Sequence, residues 1–121
     1  MEYSQYLQTS HWQNKRQEKL EDKPICQVCK SSSCINIHHK KYKYEGKSIL
    51  FNERKEDLVT LCGSCHRLLH KYFGIEVHKL NKKICRIRRL MELGAVKKQA
   101  FYFASQDELF YSVKEELEKM N

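Results

Sequence analysis

Four of the six cysteines stand in two Cys-x-x-Cys pairs, Cys26 with Cys29 and Cys62 with Cys65. Each pair turns two thiolates towards one point, and two pairs supply the four sulfur ligands of a tetrahedral Zn²⁺ site. Because four protein ligands leave no open coordination position, this zinc is expected to be structural. The alternatives are two disulfides or four ordinary buried thiols, and a reducing compartment disfavours them.

Four of the six histidines also have spacings suited to metal chemistry. His66 and His70 are four residues apart on a predicted helix, so their imidazoles share one face and can hold one cation. The adjacent His38 and His39 can supply a third ligand and a base. The alternative is that these are surface or core residues without a common role. His11 and His78 stand apart from the group, and we expect them to be structural.

The elements that must position these residues follow from hydrophobic patterning. Alternation predicts a strand over residues 35–39, and β-forming residues predict a second over 58–61, joined by a polar excursion that contains Gly46. A helix is predicted from about Ser64 to Lys71. Upstream, a helix is predicted from about Ser10, as N-cap, to Asp22. The order strand, long loop, strand, helix therefore carries both cysteine pairs and all four histidines.

Downstream, helical spacing predicts a basic, amphipathic helix from about Val77 to Leu93, ended by Gly94. Residues 100–104 are aromatic and ambiguous between strand and loop. A final helix is predicted to begin at Ser105, which forms a capping-box pattern with Glu108. Its apolar residues are expected to pack in a core or in a dimer. Cys34 and Cys85 are expected to be packed or idle thiols.

The charge of the 121 residues is unevenly distributed. The net charge is +8, and residues 105–121 carry two Lys and five acids, a balance of −3, so the rest carries 8 + 3 = +11. This excess suits a polyanion such as nucleic acid, although solubility alone explains it equally well. No apolar run approaches the ~18 residues of a membrane span. Residues 1–20 lack a signal-peptide pattern, which predicts a reducing, cytoplasmic location without a membrane partner.

The segment from about Cys26 to His70 resembles the HNH nucleases that carry a zinc knuckle. The resemblance lies in three motifs, which are in order Cys-x-x-Cys, Ile-His-His and Asp-Leu-Val-Thr-Leu-Cys-x-x-Cys-His-x-x-x-His. Residues 6–12 and the Tyr42, Tyr44, Gly46 stretch resemble a small bacterial and phage subgroup, which implies a bacterial or phage-infected cell. The resemblance implies an α+β fold with a small ββα-metal (His-Me finger) core, a structural four-cysteine zinc site, and flanking N- and C-terminal helices. It divides one compact domain into an N-terminal helical segment (1–25), the HNH core (26–71) and a C-terminal helical extension (72–121).

The resemblance also implies roles by position. His39 matches the general base, His38 the metal ligand before it, and His66 the ligand on the helix. His70 matches a further ligand of the colicin-type relatives. Asp57 stands where the family has the middle Asn, and a carboxylate there can accept a hydrogen bond from the imidazole of the base. The alternative for Asp57 is a solvated loop acid.

The implied reaction is hydrolysis of DNA phosphodiester bonds by a one-metal mechanism. A histidine base takes a proton from water, and one divalent cation neutralises charge on the phosphate. Family resemblance implies Mg²⁺ or Mn²⁺, whereas imidazole ligands also suit Ni²⁺ or Zn²⁺. Double-stranded DNA is the expected partner, a homodimer is left open, and five cationic residues are expected to contact the nucleic acid: Lys40, Lys41, Lys43, Arg67 and Lys71.

Two other functions are compatible with the sequence. A zinc-knuckle module that binds DNA without catalysis explains the cysteines and the charge, but not the histidines. A degenerate HNH scaffold, for example in a phage packaging complex, is supported by Asp57 in place of Asn. The basic helix from Lys79 to Arg89 is a second candidate contact surface.

Overall fold

The structure is a computed structural model that describes residues 2–40, 42–74 and 80–121, with the backbone alone for residues 80 and 81. Lys41, His78 and Lys79, for which the sequence makes predictions, lie outside the described residues. The chain forms two compact units, residues 1–62 and residues 63–121. The division at residues 25 and 71 stays a prediction.

The first unit contains two helices and two small antiparallel sheets. Helices α1 (Tyr3–Tyr6) and α2 (Ser10–Asp22) precede strands β1 (Ile35–His39), β2 (Lys43–Tyr44), β3 (Lys47–Ser48) and β4 (Leu58–Cys62). Strand β1 pairs with β4, from Ile35 opposite Cys62 to His39 opposite Leu58. The predicted strands are confirmed, and β4 is one residue longer than predicted. The polar excursion between them carries the β2–β3 hairpin and a 3-10 turn, Lys55–Asp57.

Local chemistry explains the bounds of these elements. Helix α2 has the predicted span, but its N-cap is Thr9, whose side-chain oxygen accepts the N–H of Trp12 at 3.2 Å. The prediction of Ser10 as the cap is therefore wrong by one residue. Glu45 and Gly46, between β2 and β3, both have positive φ, +51° and +80°. Two such residues favour the tight turn that matches the twist of a two-stranded hairpin.

The core of the first unit lies between α1, α2 and the β1–β4 sheet. Tyr6, Trp12, Ile37 and Leu58 form one buried cluster. Along β1 the burial alternates, so that Ile37 and His39 are buried whereas Asn36 is exposed and His38 is half-buried. All five residues of β4 are buried. The alternation fixes which histidine of the adjacent pair points into this core.

The second unit is helical. It contains α3 (Gly63–Phe73), α4 (Leu80–Glu92), α5 (Lys97–Ala104) and α6 (Asp107–Met120). The predicted helix over 64–71 is confirmed and extends slightly at both ends. The predicted start of the next helix at Val77 lies outside the described residues. The buried residues of this unit include Ile87, Leu90, Phe101 and Phe110.

Two predictions for this unit are wrong. Residues 100–104, predicted as strand or loop, belong to α5, where Ala100, Phe101 and Ala104 are buried at helical spacing. The final helix begins at Asp107, and its N-cap Gln106 makes no side-chain capping bond. Ser105 does not form the predicted capping box, because its hydroxyl donates to the Tyr102 carbonyl at the end of α5. Among the described residues, no helix has the length and apolar character needed to span a membrane.

Candidate functional site

The four paired cysteines form one cluster. The sulfur atoms of Cys26, Cys29, Cys62 and Cys65 all lie within 4.8 Å of one another. Sulfur ligands about 2.3 Å from a tetrahedral zinc stand roughly 3.8 Å apart, and the Cys29 and Cys62 sulfurs are 3.6 Å apart. None of the six cysteines, all of them among the described residues, forms a disulfide, which excludes the disulfide alternative in this structure. The cluster therefore fits a closed zinc site. Cys34 and Cys85 are exposed, outside the cluster.

The two histidines of α3 face one another. The Nε2 atoms of His66 and His70 are 2.8 Å apart, so one ring donates an N–H to the other. Two imidazole nitrogens this close are also suited to sharing one cation in place of that proton. Desolvation, followed by the neighbouring His70 and Arg67, lowers the pKa of His66. The neutral ring, which is the form that binds metals, is therefore favoured.

The adjacent histidines of β1 point in opposite directions. His39 faces the core beside Ile37, whereas His38 lies on the other face of the strand. His38 belongs to the first unit and the two α3 histidines to the second. The predicted sharing of one ion by His38, His66 and His70 stays a prediction.

The His39 side chain has no solvent exposure, and both ring nitrogens have a partner. Nε2 lies 2.8 Å from a carboxylate oxygen of Glu53, and Nδ1 lies 2.9 Å from the Tyr3 hydroxyl. The ring stacks on Trp12 with centroids 4.5 Å apart, and Tyr42 covers another side at 5.5 Å. His39 is therefore held in one orientation by packing as well as by hydrogen bonds.

These partners assign the tautomer of the neutral ring. A carboxylate only accepts hydrogen bonds, so Nε2 carries the proton and donates it to Glu53. Nδ1 then holds the lone pair and accepts the Tyr3 O–H. The hydrogen bond to the carboxylate thus fixes the tautomer and leaves Nδ1 as the nitrogen that can accept a proton.

Glu53 is the centre of a buried network. Its carboxylate also accepts hydrogen bonds from the Tyr6 hydroxyl and from Nε2 of His11, the latter at 3.2 Å. Burial alone would raise the pKa of Glu53, but the hydrogen bonds from Tyr6, His39 and His11 outweigh it, and the pKa is lowered. Burial, followed by the hydrogen bond to Glu53, raises the pKa of Tyr6. The carboxylate is thus the ionised member of this network.

Asp57 contacts Arg54 and the backbone of Lys40 at the start of β4. It is buried, and its carboxylate accepts the backbone N–H of Arg54 at 2.9 Å and the Arg54 guanidinium at 3.3 Å. Its backbone carbonyl accepts the N–H of Lys40, the residue after His39. The burial contradicts the solvated-acid alternative. The carboxylate at the His39 ring is that of Glu53, and a catalytic role for Asp57 stays a prediction.

The predicted nucleic-acid contacts are spread over the chain. Lys40 is half-buried, whereas Lys43, Arg67 and Lys71 are exposed. The Lys71 ammonium lies over the ring of Tyr72, 5.2 Å from its centroid. Their exposure leaves the last three side chains accessible to a polyanion.

Sequence reasoning missed Glu53, Tyr3 and the part that His11 takes in the network. Glu53 lies in an irregular stretch, fourteen residues after His39, with no spacing rule to connect the two. The one available signal was the segment from Tyr6 to Trp12, which was identified only as part of a resemblance. These residues are brought together by folding of α1 and α2 against β1.

Comparison with known proteins identifies the central segment. Residues 26–72 match the family model described as HNH endonuclease. No curated protein and no solved structure matches the chain significantly. The matched segment contains the cysteine cluster, β1 with His38 and His39, β4, and α3 with His66 and His70. Residues 26–72 are thus similar to the HNH endonuclease domain, a domain typical of nucleases.

Proposed function

We propose that this protein is a metal-dependent endonuclease that hydrolyses phosphodiester bonds of double-stranded DNA, with His39 as the general base. The observation that carries the proposal is the His39–Glu53 pair, with Nε2 and the carboxylate oxygen 2.8 Å apart, inside the HNH match. A carboxylate that fixes the protonated nitrogen leaves the other nitrogen as the base.

The base acts through Nδ1. A water molecule gives a proton to the Nδ1 lone pair, its oxygen bonds to phosphorus, and the bond from phosphorus to the leaving oxygen breaks. The leaving oxygen takes a proton from a solvent water, and the imidazolium later returns its proton to solvent. Glu53 stabilises the imidazolium that forms, because the carboxylate is already hydrogen bonded to Nε2. In the structure the Tyr3 hydroxyl occupies the position at Nδ1. Catalysis therefore requires that Tyr3, which is 39% exposed, move aside when substrate binds.

The divalent ion is assigned to His66 and His70, with His38 as the third protein ligand. The 2.8 Å separation of the two α3 Nε2 atoms supports a shared cation. When bound, such an ion neutralises negative charge on the phosphate oxygens. The cysteine cluster holds a separate structural zinc, because its four sulfurs fill a tetrahedral shell.

The burial of His39 favours a second candidate function. A histidine with no exposed side-chain surface and two hydrogen-bonded nitrogens is also what a purely structural residue shows. The second candidate is therefore an HNH scaffold that binds DNA without cleaving it.

Supercoiled plasmid separates the two functions. We expect the purified protein to convert it to nicked circles when Mg²⁺, Mn²⁺, Ni²⁺ or Zn²⁺ is added in turn, and not without added ion. One site per chain predicts nicking rather than linear products from a monomer. DNA binding without nicking under any of the four ions would reject the nuclease and establish the scaffold.

A further inference from the structure

A cationic pocket lies in the second unit, between α3 and the start of α5. It has a volume of about 270 Å³ and is lined by Ser64, Arg67, Leu68, Lys97 and Lys98. None of these five residues is acidic, three are cationic, and Ser64 adds a hydroxyl donor. Among them, only Arg67 was predicted from the sequence to contact nucleic acid.

One cation of this pocket, Lys98, differs from the paired cations elsewhere in the second unit. Elsewhere in the second unit, Arg86 pairs with Asp107 and Lys114 pairs with Glu118. Within the described part of the chain, no carboxylate forms an ion pair with Lys98. No side chain caps the N-terminus of α5, so its first turn adds partial positive charge beside the two lysines.

The backbone leaves room for the guanidinium. A Cβ on Gly63, the first residue of α3, would stand 3.3 Å from a terminal nitrogen of Arg67. The absence of a side chain there lets Arg67 lie along the first turn of its own helix. A guanidinium is a forked donor that matches the oxygens of a phosphate.

We propose that this pocket binds a backbone phosphate of double-stranded DNA, with Lys97 and Lys98 as contacts in addition to Arg67. The lining contains no aromatic ring on which a base could stack, and Leu68 is its one apolar residue. Its chemistry therefore suits a phosphodiester and not a nucleobase. The proposal rests on the proposed function only in taking DNA as the substrate.

The test is the salt dependence of duplex binding by the full chain. A mixed-sequence DNA duplex is titrated without added divalent ion, at several salt concentrations, with wild type and the Lys97→Gln/Lys98→Gln variant. We expect the variant to bind roughly tenfold more weakly and the slope of log K against log salt to shrink by about 1 to 2. The matched control is Lys114→Gln/Lys119→Gln, which removes the same charge from the acid-rich α6.

An unchanged slope in the pocket variant, an equal loss in the control, or a wild type that does not bind the duplex would each overturn the proposal. Plasmid nicking is measured separately on the same proteins. If the pocket variant alone binds DNA more weakly and the wild type nicks plasmid under none of the four ions, the phosphate pocket is supported and the nuclease is rejected. If the wild type nicks plasmid and the salt slope of the pocket variant is unchanged, the nuclease is supported and the phosphate pocket is rejected.

Discussion

At the scale of single residues, the Tyr3 hydroxyl is hydrogen bonded to Nδ1 of His39, the proposed basic nitrogen. The variant Tyr3→Phe tests whether this hydrogen bond blocks access of water to the base. The change removes the hydroxyl that competes with water for the lone pair and keeps the ring that packs against Tyr42. A hydrogen bond of this kind contributes about 0.5–1.5 kcal/mol, so single-turnover nicking should accelerate about twofold to tenfold.

The matched control for that change is Tyr44→Phe, at an exposed tyrosine of β2. It should leave the nicking rate unchanged. A large fall in the nicking rate with Tyr3→Phe alone would contradict the blocking role of the Tyr3 hydroxyl and would assign this hydroxyl to the reaction itself.

Sequence pattern identifies this histidine but not the residues that hold it. The Ile-His-His pattern marked His39, and strand alternation explains why it is His39 and not His38 that is buried. Glu53 and Tyr3 reach the ring from loop and helix positions fourteen and thirty-six residues away. Contacts of this kind are set by tertiary folding, and local pattern cannot predict them.

At the scale of elements, periodicity succeeded where one pattern dominated. The alternating β1, the β-rich β4 and the amphipathic α3 were all predicted. Helix α5 was not predicted, because residues 100–104 form an aromatic stretch too short to show a helical period and were expected to be strand or loop. Burial of Ala100, Phe101 and Ala104 shows the helical spacing. The predicted start of α6 was two residues too early, because Ser105 caps the end of α5.

Asp107→Asn tests what fixes the start of α6. Arg86 is buried on α4, packs on the Phe110 ring, and donates to Asp107 at 2.5 Å. The hydrogen bond from Arg86 holds the pKa of Asp107 below its usual value, so the pair stabilises the fold at neutral pH. We expect the variant to lower the melting temperature, because it leaves a buried cation without its carboxylate.

Glu108→Gln is the control for this substitution. It removes the same charge from the same first turn of α6, and so the same favourable interaction with the helix dipole. Equal shifts in melting temperature for the two variants would show that the Arg86 contact contributes nothing specific.

At the scale of the whole molecule, metal binding and folding are expected to be linked. The cysteines come from the segment before β1 and from the junction of β4 and α3, so one metal ion bound there would join distant parts of the chain. This feature was fully predictable, since two Cys-x-x-Cys pairs carry their ligand geometry in their spacing. The sharing of one ion by His38, His66 and His70 stays a prediction, because these residues belong to different compact units.

Cys62→Ser tests that linkage. The protein isolated at neutral pH should contain one tightly bound zinc per chain, and the variant should lose it together with most of its thermal stability. Cys34→Ser, at an exposed thiol outside the cluster, should keep both. Metal analysis and thermal melting decide this, and equal zinc contents in the two variants would contradict the site.

The most direct test of the central claim compares His39→Ala with His11→Ala in plasmid nicking. Both variants remove an imidazole that donates to Glu53, but only His39 is the proposed base. Zinc content and DNA binding are measured in parallel to confirm that both remain folded. We expect His39→Ala to abolish metal-dependent nicking and His11→Ala to retain most of it. Full nicking by folded His39→Ala would show that His39 is not the general base.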